Sequence, residues 1–273
     1  MPSLVAISDL HCGSSKALCV PKIEFDETDE EESWVYKATN KQMWIWKRWL
    51  EFCKLIPKGS IGYLNGDVLQ GTNVLGGAMV SLFEDHQIMI AVKSLEPFLE
   101  RCSITYWTFG TEFHEGKDGH NLRALVQVLD TMGYPVTKPR NEIWHEDGYK
   151  NIFHFAHHRN VSKAASSKAT PLNNSLLSMM FEAPLRNGVY PNYVIRSHAH
   201  DPGMWHSPRG VSIALPSWQT KTDLAWRAMP HVAVVVGGLI MTLERKEKMG
   251  WSERMVTYTE GKPTISRMQL TKK

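Results

Sequence analysis

Residues 193–200 read YVIRSHAH: an apolar run, Tyr193-Val194-Ile195, then Arg196, Ser197 and two histidines one residue apart. Residues two apart in an extended segment point to one side. His198 and His200 therefore present both imidazoles to the same space as a strand gives way to a loop. Two imidazoles so placed suit one metal ion or two neighbouring ions. An isolated H-x-H is more often a pair of surface histidines, so its meaning depends on what stands at comparable places elsewhere.

Four other apolar runs end in the same way. Pro2 to Ile7 stops at Ser8-Asp9, with His11 two residues further on, and Ser60 to Leu64 stops at Asn65-Gly66-Asp67. Ser103 to Phe109 is followed by Gly110-Thr111-Glu112-Phe113-His114-Glu115, and Ile152 to Ala156 by His157-His158. Short apolar runs bounded by polar residues and glycine are the pattern of buried strands. Polar residues normally follow strands, so one such end carries little weight. Five ends carrying Asp, Glu or His point to a site on the carboxyl edge of an α/β sheet.

The segments between them are helical in spacing: Trp34 to Leu55, Leu82 to Leu99 and His120 to Met132, the last with Gly133 as a C-terminal cap. Trp44, Trp46 and Trp49 read as core-facing helix residues, and Glu24 to Glu32 as a solvated acidic loop or helix start. Gly210 to Leu215, His231 to Leu243 and Glu253 to Thr259 read as strands joined by tight turns. They give an antiparallel C-terminal part over about residues 205–273. Residues 1–273 are expected to form a single domain.

A chain of 273 residues with 42% hydrophobic and 22% charged residues has ordinary globular composition. No apolar stretch is long enough for a bilayer, and the start MPSLVAISDLHC lacks the features of a signal peptide. Cys12, Cys19, Cys53 and Cys102 show no C-x-x-C spacing, which fits reduced thiols in the cytoplasm. A net charge of +3 and a pI near 8.6 permit a phosphate-bearing partner, nucleic acid included, without requiring one. Twelve histidines call for a metal or acid–base explanation.

Mixed carboxylate and imidazole donors suit Zn, Fe, Mn or Ni and argue against a calcium cage. More donors are present than one ion needs, so two ions sharing a carboxylate is the economical arrangement. The set Asp9-x-His11, Gly66-Asp67, Gly110 to Glu115, His157 and Ser197-His198-Ala199-His200 resembles the calcineurin-like metallophosphoesterase superfamily. That family's order is D-x-H, G-D, G-N-H-[D/E], H and G-H-x-H, and compact phage-encoded members carry similar variants.

The resemblance implies an α/β/β/α sandwich of two sheets flanked by helices. It implies that Asp9, His11 and His200 hold a first metal, that Asp67 bridges, and that His157 and His198 hold a second. His158 competes with His157 for its place, and His157 is preferred because it comes first after the apolar run. His154 reads as a structural strand histidine. Serine for glycine at Ser197 is a mild change.

The departure is G-T-E-F-H-E. Here Glu112 is expected to replace the family's ligand asparagine, and His114 to act as general acid with Glu115 orienting it. Asn65 and Gln70 flank the bridging aspartate as candidate substrate contacts. Arg159 and Arg196 are set aside as surface residues, and Trp205, Trp218 and Trp226 are assigned to packing.

The implied reaction is hydrolysis of a phosphate ester by a two-metal-bound hydroxide, with phosphodiesters or nucleic acid favoured. Manganese is placed first among the ions, with Fe, Zn, Ni and Mg behind it. The alternatives are a phosphomonoesterase and a non-catalytic scaffold that uses the fold as a protein-binding surface. Neither natural substrate nor oligomeric state is legible in the sequence.

Overall fold

A computed structural model describes residues 3–26, 33–72, 79–158, 169–221, 233–245 and 249–260. Along the chain come β1 (Ser3–Ile7), β2 (Lys22–Phe25), β3 (Trp34–Lys37), α1 (Asn40–Leu55), β4 (Ser60–Asn65) and α2 (Glu84–Leu99). They are followed by β5 (Cys102–Thr108), α3 (Glu112–Glu115), α4 (His120–Thr131), β6 (Glu142–Glu146), β7 (Ile152–Ala156) and α5 (Ala169–Phe181). The chain continues with β8 (Tyr193–Arg196), β9 (Gly203–Ser207), β10 (Gly210–Ala214), β11 (Val235–Arg245) and β12 (Met249–Thr259).

Two five-stranded sheets form, in the orders β12-β11-β1-β4-β5 and β6-β7-β8-β10-β9. β1, β4 and β5 run parallel, as do β7, β8 and β10, so all six bring their carboxyl ends to one edge. Every residue of β1 is buried, as a strand covered on both faces requires. Its alternate residues serve two cores. Val5 and Ile7 face α1, α2 and α4 alongside Trp49, Phe52 and Leu95. Leu4 and Ala6 face the second sheet alongside Tyr63, Phe155, Ile195 and Ile213. On the far face of that sheet, Leu176 and Met179 of α5 pack on Val194. The layers are helix, sheet, sheet, helix, the sandwich expected.

The five motif-ending strands form where the apolar runs place them. Three expectations change. The helix expected from Trp34 begins at Asn40, because Thr39 and Gln42 close a reciprocal capping box there. Trp34–Lys37 instead pairs antiparallel with Lys22–Phe25, which turns part of the expected acidic loop into a strand. The C-terminal strands are also not one antiparallel part. β10 lies parallel to β8 in the second sheet, whereas the β11–β12 hairpin joins β1 in the first. The expected strand from His231 starts outside the described residues, as do Arg159 and Trp226.

His154 sits inside β7, and its Nε2 donates to Glu142 Oε2 of β6 at 2.8 Å. Burial, helped by the charge on Arg196, lowers its pKa to about 4. An unfolded histidine titrates near 6.5, so the unfolded chain binds more protons between the two values. Stability is therefore lost as pH falls from about 6.5 towards 4, by up to about 3 kcal/mol. Urea midpoints at pH 7 and pH 5 should differ more for the native chain than for His154→Gln. An equal difference would remove His154 as the cause.

Candidate metal centre

The carboxyl edge gathers the polar strand ends on an unusual backbone. Among the described residues, eight non-glycine residues have positive φ, and five are Asp9 (51°), His11 (45°), Asp67 (51°), His198 (71°) and His200 (52°). A left-handed backbone is costly for such residues, and its concentration at one place marks a functional site. The neighbouring main chain holds them there. Asp9 N–H donates to Gly66 O at 3.0 Å, His11 N–H to Asp67 O at 3.1 Å, and Trp218 N–H to Asp9 O at 2.9 Å. Gly66 is required: its φ is +84° and a Cβ would lie 2.5 Å from His157 Nδ1. At Gly110 a Cβ would collide with the backbone nitrogen and Oδ1 of Asp67.

Three groupings of donor atoms lie side by side, linked through His11 and Asp67. In the first, His200 Nε2 lies 3.2 Å from both Asp9 Oδ1 and His11 Nε2. In the second, His157 Nε2 lies 3.1 Å and His198 Nδ1 3.9 Å from Asp67 Oδ2. A third grouping brings His114 to His11 and Asp67, with the two rings edge-on at 4.4 Å. Asp9 Oδ1 and His157 Nε2 are buried and make no hydrogen bond. Buried polar atoms are rarely left so, and a divalent cation is the group this donor set fits.

Electrostatics agree with that fit. Burial raises the pKa of Asp9, but His200 and His157 outweigh it and hold the carboxyl at about 2. Burial likewise opposes ionisation of Asp67, yet His157 keeps it well below the carboxylate range. Burial disfavours charge on His157, while Asp67 and Asp9 lift it to about 10. His11 moves the other way, pushed down by burial and by His114 and His200. The pocket is built to carry positive charge beside two carboxylates.

Of the two adjacent histidines, His157 is buried and its Nδ1 donates to Asn65 O at 2.7 Å, which turns Nε2 to the site. His158 is exposed, its ring 5.1 Å from that of His198. His114 Nδ1 donates to Gln70 O at 2.6 Å, leaving Nε2 for the cluster.

Glu112 is not brought in. It is exposed on the first turn of α3 and lines a separate cavity with Thr111, Asp118 and Arg123. Thr111 takes the place beside Asp67 instead, its N–H and hydroxyl both donating to Asp67 Oδ1 at 2.7 and 3.0 Å. The residue directly after Gly110 is the one the strand end aims inward, and helix α3 carries the next one away.

Other expectations also shift. Glu115 does not orient His114. It is buried and accepts from Gly110 N–H at 2.7 Å and from Val68 N–H at 3.4 Å, tying together the loops that carry Asp67 and Thr111. Burial, reinforced by the charge of Asp67, raises it to about 8. Asn65 is no substrate contact. Buried, it accepts from Thr108 Oγ1 at 2.9 Å and donates to Ala156 O at 3.1 Å and Ser197 Oγ at 2.6 Å. Ser197 thus does more than replace a glycine. Gln70 is buried and hydrogen-bonded to Gln219, and Arg196 is buried and donates to Ile195 O at 2.9 Å. Trp218 packs against Trp49 in the core, and Trp205 is exposed on β9.

No family model and no curated protein matches the chain. Among solved structures it is similar to an archaeal phosphodiesterase, at 13% identity and TM-score 0.44, over 93% of this chain and 99% of that one. It is similar to a zinc complex of Vps29 from Entamoeba histolytica, at 8% and 0.40, over 94% and 98%. It is also similar to a predicted phosphoesterase from Streptococcus pneumoniae, at 8% and 0.37, over 95% and 98%. What the described residues show is the helix, sheet, sheet, helix sandwich itself. At these low values, the site's own residues carry the reading of its chemistry.

Because Asp67 stands between the clusters and Glu112 outside them, two substitutions should separate. Asp67→Asn should weaken manganese binding by about 10-fold or more, whereas Glu112→Gln should bind as the native chain does. Calorimetric titration reads both, and a loss of affinity in Glu112→Gln would return that residue to the ligand set.

Proposed function

We propose that the protein is a divalent-metal-dependent phosphoesterase that favours phosphodiesters. The supporting observation is the convergence of Asp9 Oδ1 and His157 Nε2, buried without hydrogen bonds, on the donors around Asp67. Asp9, His11 and His200 would hold one ion, His157 and His198 the other, and Asp67 both. Such ions, manganese first among them, supply charge for the phosphate oxygens and lower the pKa of water.

The chain's own residues do the rest. Thr111 fixes Asp67 Oδ1, so the carboxylate cannot turn away from the clusters. His114, anchored through Nδ1, offers Nε2 as the proton donor for the departing oxygen. A thiol nucleophile is disfavoured: burial pushes Cys19 and Cys102 up to about 12, and Cys12 and Cys53 well above the usual thiol value. Unionised, unpaired thiols fit a cytoplasmic setting. Among the described residues, no helix is long and apolar enough to cross a membrane.

Manganese-loaded protein should hydrolyse bis-p-nitrophenyl phosphate, lose activity in EDTA and regain it with added metal. Asp67→Asn should lower kcat/KM by more than about 100-fold. His114→Ala should slow an alkyl ester, whose leaving group needs a proton, about 10-fold or more beyond its effect on a nitrophenyl ester. Equal effects on both would remove the acid role. No turnover with any ester or metal would favour the protein-binding scaffold.

A further inference from the structure

A cleft of about 320 Å³ opens along the side of the sandwich, where the edge strands β5 and β6 of the two sheets face each other. Tyr106, Thr137, Lys138, Arg140, Trp144 and His145 line it. Besides the hydroxyls of Tyr106 and Thr137, three of these can offer N–H groups to an anion, since Trp144 Nε1 already donates to Glu142 Oε1. Lys138 and Arg140 are exposed cations. The third donor is fixed by the core. Tyr63 is buried, and its hydroxyl meets His145 Nδ1 at 2.7 Å. A buried hydroxyl left without an acceptor is costly, so Tyr63 donates and Nδ1 accepts. The proton of the neutral imidazole then sits on Nε2, which makes His145 a donor on its other side. Burial lowers the pKa of His145, which keeps it in that neutral form.

Two cations and a fixed N–H against one carboxylate, Glu146, suit an anion with several acceptor oxygens. The stacking surfaces are poorer. Trp144 is covered by His154 and by Arg186, and Tyr106 stacks on Tyr63, so the cleft selects for charge more than for rings. Its position ties it to the metal centre. Phe109 N–H donates to Arg140 O at 2.8 Å, and Thr108 pairs with Arg140, immediately before the loop that carries Thr111. The next residue, Asn141, lines the cavity shared with Gly110, Thr111 and Glu112.

We propose that this cleft is a subsite for a second phosphate of a polyphosphodiester substrate, with Arg140, Lys138 and His145 Nε2 as its donors. The proposal rests on the phosphoesterase reading and narrows its substrate to an oligonucleotide-type chain. Because Asn141 lines the cavity beside Thr111 and Arg140 lines the cleft, a strand lying from the Thr111 loop past Asn141 would reach the cleft, where a minimal diester would add no second phosphate.

The test uses the manganese-loaded full chain, fluorescein-labelled octathymidylate, and the double variant Lys138→Ala/Arg140→Ala at exposed positions. The ratio of KM for octathymidylate to KM for bis-p-nitrophenyl phosphate should rise about 10-fold, and the salt slope of oligonucleotide binding should shrink by roughly one. Tyr63→Phe, which leaves His145 Nδ1 without its donor, should raise the same ratio by a smaller factor. Anisotropy binding of the oligonucleotide keeps the subsite testable if no ester is hydrolysed: an equal Kd for native and double-variant protein overturns it. Equal oligonucleotide affinity with weakened binding of inorganic phosphate would assign the cleft to free phosphate and overturn the substrate role.

Discussion

Asp9 and Asp67 lie almost wholly out of solvent at the ends of neighbouring strands, and the surrounding structure answers that fact. A buried carboxylate without partners costs several kcal/mol, more than one domain can lose at two places. Each is offset locally. Asp9 Oδ2 accepts from Ser8 Oγ and from His198 N–H at 3.2 Å, while Asp67 Oδ1 takes both donors of Thr111. The remaining oxygens, Asp9 Oδ1 and Asp67 Oδ2, face imidazole nitrogens. One oxygen of each pair is held by the protein and the other is directed to the site.

Holding that division demands backbone that the strands themselves do not supply. The left-handed turns at Asp9, His11, Asp67, His198 and His200 are each unfavourable, and they persist because the sandwich over-determines them. Asn65 is the hub. Its side chain joins the ends of β4, β5 and β7 and reaches Ser197, while its carbonyl oxygen orients His157. Further from the edge, Tyr63 stacks on Phe155 at 4.0 Å and 7° between the two sheets. That contact sets the spacing at which residues from opposite sheets can meet around Asp67.

The sequence showed the ends of strands better than what lies between them. Short apolar runs that stop at Asp, Glu or His are legible because burial on both faces removes the polar alternation. β2, β6 and β9 have alternating or mostly exposed residues, which read as loop, and α5 carries proline near its start. The parallel pairing of β10 with β8 is a long-range choice that no local pattern records. Around the site, donor types were visible but second partners were not. Glu112 looks like a ligand because it is charged, yet direction decides, and the strand end directs Thr111. Glu115 and Asn65 act on backbone groups, which leave no mark in side-chain spacing.

The exchange of a neutral hydroxyl for the expected carboxylate has an electrostatic consequence. With Glu112 outside, Asp9 and Asp67 are the only carboxylates in the three donor groupings found among the described residues. Two dications against two carboxylates would leave the centre with about two positive charges, where a third carboxylate would leave about one. Thr111 spends its donors on Asp67, so an ion held by Asp67, His157 and His198 would have room for oxygen atoms from outside the chain. A centre that is more positive and less filled by protein is suited to an anionic ester. On the proposed reading, the cations of the side cleft would extend that preference beyond the reacting phosphate, and the change at Gly110 to Glu115 would add to the site's selection for anions.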